Sequence, residues 1–573
     1  MRIFKFRYAL KFLLVCATLA IISCSTDSED TPEATVITVT TSNFSVTINE
    51  NPSEGQLIGT VAGTTNQGTV TFLITEQTPS GAFSIDVASG ELKVANANLF
   101  DFETNPTISG TIKVANGAVS ENVSVIINVS NINEENIYDG DITLLTQEEV
   151  NTFGQNHYTH ITGEIYIGTP TNVNQQSIID LTPLVDLTSV GETLYIGYNS
   201  ELTSLVGLEN VTSVGGTLAI HTNSLLINIE SLNNITGTIK DLYVMENDNL
   251  TSFNALNNIE NIEEYFFIFG NDSLLYLNGL SNLTHIGWGG IVNNQNLLNL
   301  HELSNFTSVT YSFGISNNNS LINLEGLENL AFIGDELNIN QNNSLLSLDG
   351  LSGLENLSVE MLEIVGNTLL ENIDALQNIS SVNRLFIQNN PYLSSLNLTN
   401  LSTVTDTFYL TENNLLSNLN GLQNITEINK FEIIENENLT SLAGIPAQAV
   451  INSLNILFNP NLTNLSGLES FSSLHSLKVT GNNALVSLQG LNNITSFEGS
   501  LYISSNDALV NLDDLSNLSS IDNDLDIRSN GNLTDFCGIQ TLINNGGPSS
   551  DYTVFNNAYN PTKQDIIDGN CSI

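Results

Sequence analysis

Positive charge is scarce in this sequence: its 573 residues hold 12 Lys+Arg against 61 Asp+Glu, a formal net charge of −49. A nucleic-acid partner is excluded on that ground, because binding one requires cations to neutralise phosphates. Four of the twelve cations (Arg2, Lys5, Arg7, Lys11) precede the first acid, Asp27. Catalytic motifs are missing too. Six histidines (His157, His160, His221, His285, His301, His475) are scattered without a His-Glu-x-x-His. No Gly-x-Ser-x-Gly occurs, no Gly-x-Gly-x-x-Gly opens a helix and there is no phosphate loop, which removes the common hydrolase, dinucleotide and nucleotide chemistries. Beyond residue 11 the only arginines are Arg384 and Arg528, too few and too distant for a lyase that works with Arg or Lys beside calcium. Long apolar runs are also lacking. Phe12 to Ile22 is the longest and is too short to span a bilayer. With 41% hydrophobic residues the chain nevertheless folds, and at its length it needs several domains or a repeat array.

The basic residues Arg2, Lys5, Arg7 and Lys11 followed by that apolar run read as an export signal. The run ends Ile21-Ile22-Ser23-Cys24, which resembles the bacterial lipobox. The resemblance implies a signal peptide over 1–23 and lipidation of Cys24, with the lipid as the sole membrane contact. Ser25 after Cys24 looks like the choice for outer-membrane sorting. The acidic tether 24–33, with Asp27-Ser28-Glu29-Asp30, resembles a tag for the cell surface. The competing reading is an ordinary secretory signal with an incidental cysteine. Of the 4 cysteines, Cys16 leaves with the signal and Cys24 carries lipid. Cys537 and Cys571 remain to pair in an oxidising compartment, contributing about 3–4 kcal/mol in the chain-entropy picture.

Residues 34–134 alternate apolar and polar side chains in short runs such as Val70-Thr71-Phe72-Leu73-Ile74 and Val123-Ser124-Val125-Ile126-Ile127-Asn128-Val129. That pattern predicts a β-sandwich of six or seven strands. Ile48-Asn49-Glu50-Asn51-Pro52, Phe83-Ser84-Ile85-Asp86 before Gly90, and Phe100-Asp101-Phe102-Glu103 stand in the order of a cadherin domain, which this segment resembles. The resemblance implies calcium ligands at Glu50, Asp101 and Glu103, completed by the linker Asn131-Ile132-Asn133-Glu134 through Asn131, Asn133 and Glu134. This linker has fewer carboxylates than the family's, Asn116 replaces a usual aspartate, and no second cadherin domain follows. Fewer charges mean weaker calcium. Without the ion, Asp101 and Glu103 would cap a turn.

A capping box, Thr146-Gln147-Glu148-Glu149, predicts a short helix through Phe153 inside an N-terminal cap over 138–164. Then an asparagine recurs at 199, 223, 247, 271, 294, 318, 342, 367, 390, 413, 436, 459, 482, 506 and 530, fifteen units spaced by 23 to 25 residues. Three residues before each stands Ile, Val or Leu; three after, always Leu; six after, Leu, Ile or Phe. One chain turn per unit buries these positions in a stacked coil with parallel sheets. The asparagines bond the turn backbone and one another as a structural column. The fold expected is therefore mostly β: a cadherin-like sandwich, then a long right-handed solenoid of about fifteen turns over 165–535. A disulfide-closed C-terminal cap follows over 536–573. The repeat is related to leucine-rich repeats and looks closer to the receptor L domain, whose solenoids bind varied ligands. At about 4.8 Å per rung, fifteen rungs make a rod on the order of 70 Å.

Outward strand positions collect aromatics four residues before the asparagine: Tyr195, Tyr243, Phe267, Phe386, Tyr409, Tyr502. Stacking therefore gathers Tyr243, Met245, Phe267, Phe269 and Val292, with Trp288 at the edge, into one exposed apolar patch. Aromatics also favour exposed β positions for packing alone. The whole describes a non-catalytic surface lipoprotein that recognises an extracellular protein or a glycan. The rivals are a glycan-binding accessory of a polysaccharide uptake system and a polysaccharide-active enzyme.

Overall fold

The structure, a computed structural model, describes residues 35–132, 135–169, 177–354, 358–447 and 449–573. Expectations placed on the signal peptide 1–23, Cys24, the tether 24–33, Asn133 and Glu134 lie outside the described residues. The chain forms two compact units, divided between Glu134 and Glu135, and helix makes up only 7%.

The first unit is a β-sandwich. One sheet orders Phe44–Asn49, Val119–Ser130, Thr107–Asn116 and Thr71–Thr78; the other orders Leu57–Thr60, Glu91–Val94 and Phe83–Ile85, with Val39–Thr41 and Gly63–Thr65 paired beside them. Alternation does the sorting. Along Val119–Ser130, residues Val123, Val125, Ile127 and Val129 are buried while the residues between them are exposed. They close on Phe72, Phe83, Leu92 and Phe100.

The second unit is a parallel solenoid of about 17 turns. Its principal sheet has 21 strands, and the core positions lie in register: Ile196 on Ile220, Ile220 on Val244, Val244 on Ile268, Ile268 on Ile291. The leucines three residues after each asparagine, from Leu202 to Leu533, are fully buried. All fifteen asparagines are fully buried as well. Each donates its backbone N–H to the Oδ1 of the asparagine one rung on, as Asn342 does to Asn367 at 3.0 Å, and its Nδ2 to a carbonyl one rung back, as Asn342 does to Ile315 at 2.8 Å. A buried amide would be costly alone, but from Asn223 onward donor and acceptor are both used, and of the fifteen only Asn199, first in the column, has a buried Oδ1 without a partner.

The array runs further than the repeat in the sequence. Ile142–Leu144 and Ile165–Gly168 add rungs before Asn199, and Tyr552–Phe555 adds one after Asn530. Asn557 continues the column, its Oδ1 taking Asn530 N–H at 3.0 Å. The segment expected to serve only as a C-terminal cap thus supplies one more turn before Lys563–Ile567 and the Cys537–Cys571 disulfide close the end. At the other end the helix Gln147–Gly154 carries the full capping box on Thr146 and Glu149, burying Val150 and Phe153. No helix among the described residues is long and apolar enough to cross a membrane.

Candidate functional site

The solenoid's outward sheet face holds the aromatic cluster. Tyr243 lies beside Phe267 and Met245 beside Phe269 on neighbouring strands, and Phe269 pairs with Val292. Tyr243 and Phe267 stack with centroids 6.0 Å apart and planes 8° from parallel. The structure thus brings together all five of these side chains, each half-buried, and puts Trp288 on the rung of Val292 with 39% of its surface exposed.

Two further members escaped sequence reasoning. The strand Ile259–Phe269 slips register between Ile262 and Tyr265, and past that bulge Tyr265 lies opposite Trp288 in the same register that sets Phe267 opposite Gly290. The buried carboxylate of Asp241 fixes the bulge by accepting the Tyr265 N–H at 3.1 Å and the Thr217 hydroxyl at 2.7 Å. Tyr265 then stacks on Tyr243 and Phe267 at 6.5 and 6.4 Å. Tyr311, one residue ahead of its strand, stacks on Trp288 at 4.6 Å. Tyr265 stands six residues before Asn271, as Trp288 does before Asn294, so the repeat register held its place two residues ahead of Phe267, whereas Tyr311 stands seven before Asn318 and outside its strand. Burial pushes the Tyr243 hydroxyl up to about 12, with help from Asp241, so it stays protonated and available as a donor at any physiological pH. A second stacked pair, Phe386 and Tyr409 at 4.9 Å, lies further along the same face, with Lys430 over the Tyr409 ring.

In the sandwich, oxygens of Glu50, Asp101 and Glu103 lie within 4.8 Å of one another. Glu50 is buried and its two oxygens accept the backbone N–H groups of Phe102 and Ile132, tying the 100–103 loop to the end of the last strand. Asp101 accepts the hydroxyl of Thr104 at 2.8 Å and the N–H of Glu103 at 3.0 Å, and the Thr104 bond holds its carboxyl below the usual range. Asn131 donates to Glu103 at 2.8 Å. Partial burial, with the Glu50 and Asp101 charges adding to it, raises Glu103. The set is therefore both a turn staple and a concentration of negative charge.

His157 pairs with Asp186 at 2.7 Å on the N-terminal turns, and His160 bonds Ser189. Arg384 lies 3.8 Å from Glu360 and Arg528 3.6 Å from Asp526, six rungs apart.

No family model matches the chain, and no curated protein matches it. Among solved structures it is similar to the extracellular cadherin domains 3-6 of protocadherin gamma B2, at 20% identity over 17% of this chain and 23% of that one, with a TM-score of 0.16. It is similar to the human desmocollin-1 ectodomain at 18% identity, over 18% of this chain and 22% of that one, with a TM-score of 0.15. For Drosophila N-cadherin EC1-4 the identity is 18%, the shares are 18% and 28%, and the TM-score is 0.16. The chain spans less than a third of each of these three structures.

Proposed function

We propose that this chain is a non-catalytic recognition protein of the bacterial cell surface. In this reading Cys24 carries the lipid that anchors it at the outer membrane, the cadherin-like sandwich is a spacer, and the L-domain-like solenoid presents its sheet face to an extracellular protein or glycan. One observation carries it. Tyr243, Tyr265, Phe267, Trp288 and Tyr311 are gathered on a single exposed face, where folding gains little from them and a partner would gain much. The lipid-free chain is expected to bind cells, and Phe267→Ala with Phe269→Ala to weaken that binding tenfold or more by cytometry. Equal staining by the double variant would dismiss the face as the contact.

The proposal also gives calcium to Glu50, Asp101 and Glu103, with Asn131 beside them. Desolvation raises Glu103 first and the Glu50 and Asp101 charges add to it; that added repulsion is what a divalent cation relieves. With one oxygen from each carboxylate the set supplies three of the six to eight oxygens the ion takes, so water and the linker would complete its shell and affinity would be modest. At calcium ten times Kd the sandwich gains about 1.4 kcal/mol, roughly 5–10 °C for a domain of about 100 residues. Calorimetry of the full chain with calcium against chelator checks this. A transition unmoved by millimolar calcium, or a shift that survives Asp101→Asn with Glu103→Gln, removes the site.

A further inference from the structure

Beside the aromatic cluster the sheet face sinks. The row that contains Phe267 continues through Gly290 and Gly314 to Asn338 on successive rungs. Two glycines in a row leave bare backbone two rungs long, on the order of 10 Å. A side chain at Gly314 would meet no atom within 4 Å, while one at Gly290 would lie 3.2 Å from Val292 Cγ2, so the depression is open over Gly314 and bordered by Val292 at Gly290. Its borders differ in chemistry. Phe267 and the stacked Trp288 and Tyr311 make an aromatic end and wall, and those last two rings are 39% and 42% exposed. At the far end stands Asn338, a half-buried amide whose Oδ1 is itself buried without a hydrogen-bond partner.

We propose that this trough holds a hexose unit of an uncharged polysaccharide, an assignment that rests on the recognition role proposed above and specifies its ligand. A pyranose ring has a face of C–H bonds, slightly positive, which suits the negative face of an aromatic ring, and a rim of hydroxyls, which suits an amide and phenols. The ligand is uncharged because the surface is strongly acidic and the nearby cation, Lys240, is paired with Glu264 at 3.7 Å; an anionic polymer would be repelled. A peptide strand fits less well. Peptides gain affinity by pairing with a free sheet edge, and here the backbone is already paired to strands on both sides. A polymer is favoured over a single sugar by the Phe386–Tyr409 pair, five rungs beyond Phe267 and about 24 Å along the same face at 4.8 Å per rung.

The test is affinity electrophoresis of the full lipid-free chain in gels containing dextran, yeast mannan, laminarin or galactomannan, with alginate as the anionic comparison. At least one neutral polymer should retard the chain. Gly314→Leu, which fills open space without backbone strain, and Trp288→Ala should each weaken that retardation tenfold or more while leaving the melting transition in place. Migration unaffected by all four neutral polymers overturns the assignment. So does retardation by alginate alone, or retardation unchanged in both variants. If the chain binds cells through Phe267 and Phe269 yet no neutral polymer retards it, the sugar is wrong and the recognition role stands with a protein partner. If cell binding is indifferent to those residues while Gly314→Leu abolishes polymer binding, the trough stands and the cell-contact role falls.

Discussion

Asn342→Ala should cost about 3–4 kcal/mol. The side chain donates to the Ile315 carbonyl at 2.8 Å and to Asn367 Oδ1 at 3.4 Å, and accepts the Asn318 N–H at 3.0 Å and Asn318 Nδ2 at 3.4 Å. Alanine deletes all four bonds and leaves their partners buried, at about 1 kcal/mol each. Because a solenoid is held by nearest-neighbour contacts, the damage concentrates between the rungs of Asn318 and Asn367. Urea unfolding should therefore split or shift to a lower midpoint, and hydrogen exchange should lose protection first at those rungs. Asn343→Ala, on the exposed neighbour, should cost under about 1 kcal/mol. Asn342→Asp separates acceptance from donation: it can still accept, yet sets a carboxylate against two oxygens. Its folded pKa would be raised, so its penalty is full above that pKa and shrinks as pH falls through it. Equal urea midpoints for Asn342→Ala and Asn343→Ala would show that the column does not bind the rungs together.

Those asparagines were legible because a buried amide ladder tolerates no substitute, and Leu202 to Leu533 were legible because a core leucine is needed once per turn. The corner that makes the ladder possible was not. The residue just before each asparagine has positive φ, from Tyr198 at 58° and Thr222 at 53° to Phe458 at 57° and Ser529 at 55°. Gly270, Gly366 and Gly481 announce it by residue type, and Asn293, Asn317 and Asn389 more weakly; the other nine do not. A left-handed Thr or Phe costs about 1–2 kcal/mol, and the structure tolerates it because the N–H at that corner bonds the next rung, as Thr222 does to Met245 at 2.8 Å. Strain that is met by a repeated tertiary bond leaves no signature in composition. The terminal turns were hidden for another reason. Ile142–Leu144, ahead of the solenoid expected from residue 165, ends without the asparagine, and Asn557 follows Asn530 by 27 residues, beyond the 23 to 25 that the repeat keeps. In the candidate surface the in-register members were readable, and Tyr265 stands with Trp288 at one repeat position, six before the asparagine; Tyr311, outside its strand, was not readable.

Gly350→Ala should destabilise the solenoid by more than about 3 kcal/mol, although it adds a single carbon. Gly350 turns the chain at φ 111°, and a Cβ there would sit 2.0 Å from the Leu324 carbonyl oxygen and 2.4 Å from its carbon. Those atoms are backbone, fixed by the bond from Leu324 N–H to the Asp349 carbonyl at 3.1 Å, so the rungs themselves must part. The same position in other turns shows the alternative. Ala375 lies eight residues after Asn367, as Gly350 does after Asn342, but Asp374–Leu376 forms a 3-10 turn that carries a side chain there. Ala375→Gly should cost only about 0.5–1 kcal/mol, the entropy of a freer backbone. One column thus accepts two turn geometries, a left-handed glycine at Gly207, Gly279, Gly326 and Gly350, and a 3-10 turn at Glu230–Leu232 and His301–Leu303. Circular dichroism melts of the two variants decide the matter. If Gly350→Ala unfolds no earlier than Ala375→Gly, close backbone approach does not set the rung spacing, and the in-register face on which the recognition role depends loses its physical basis.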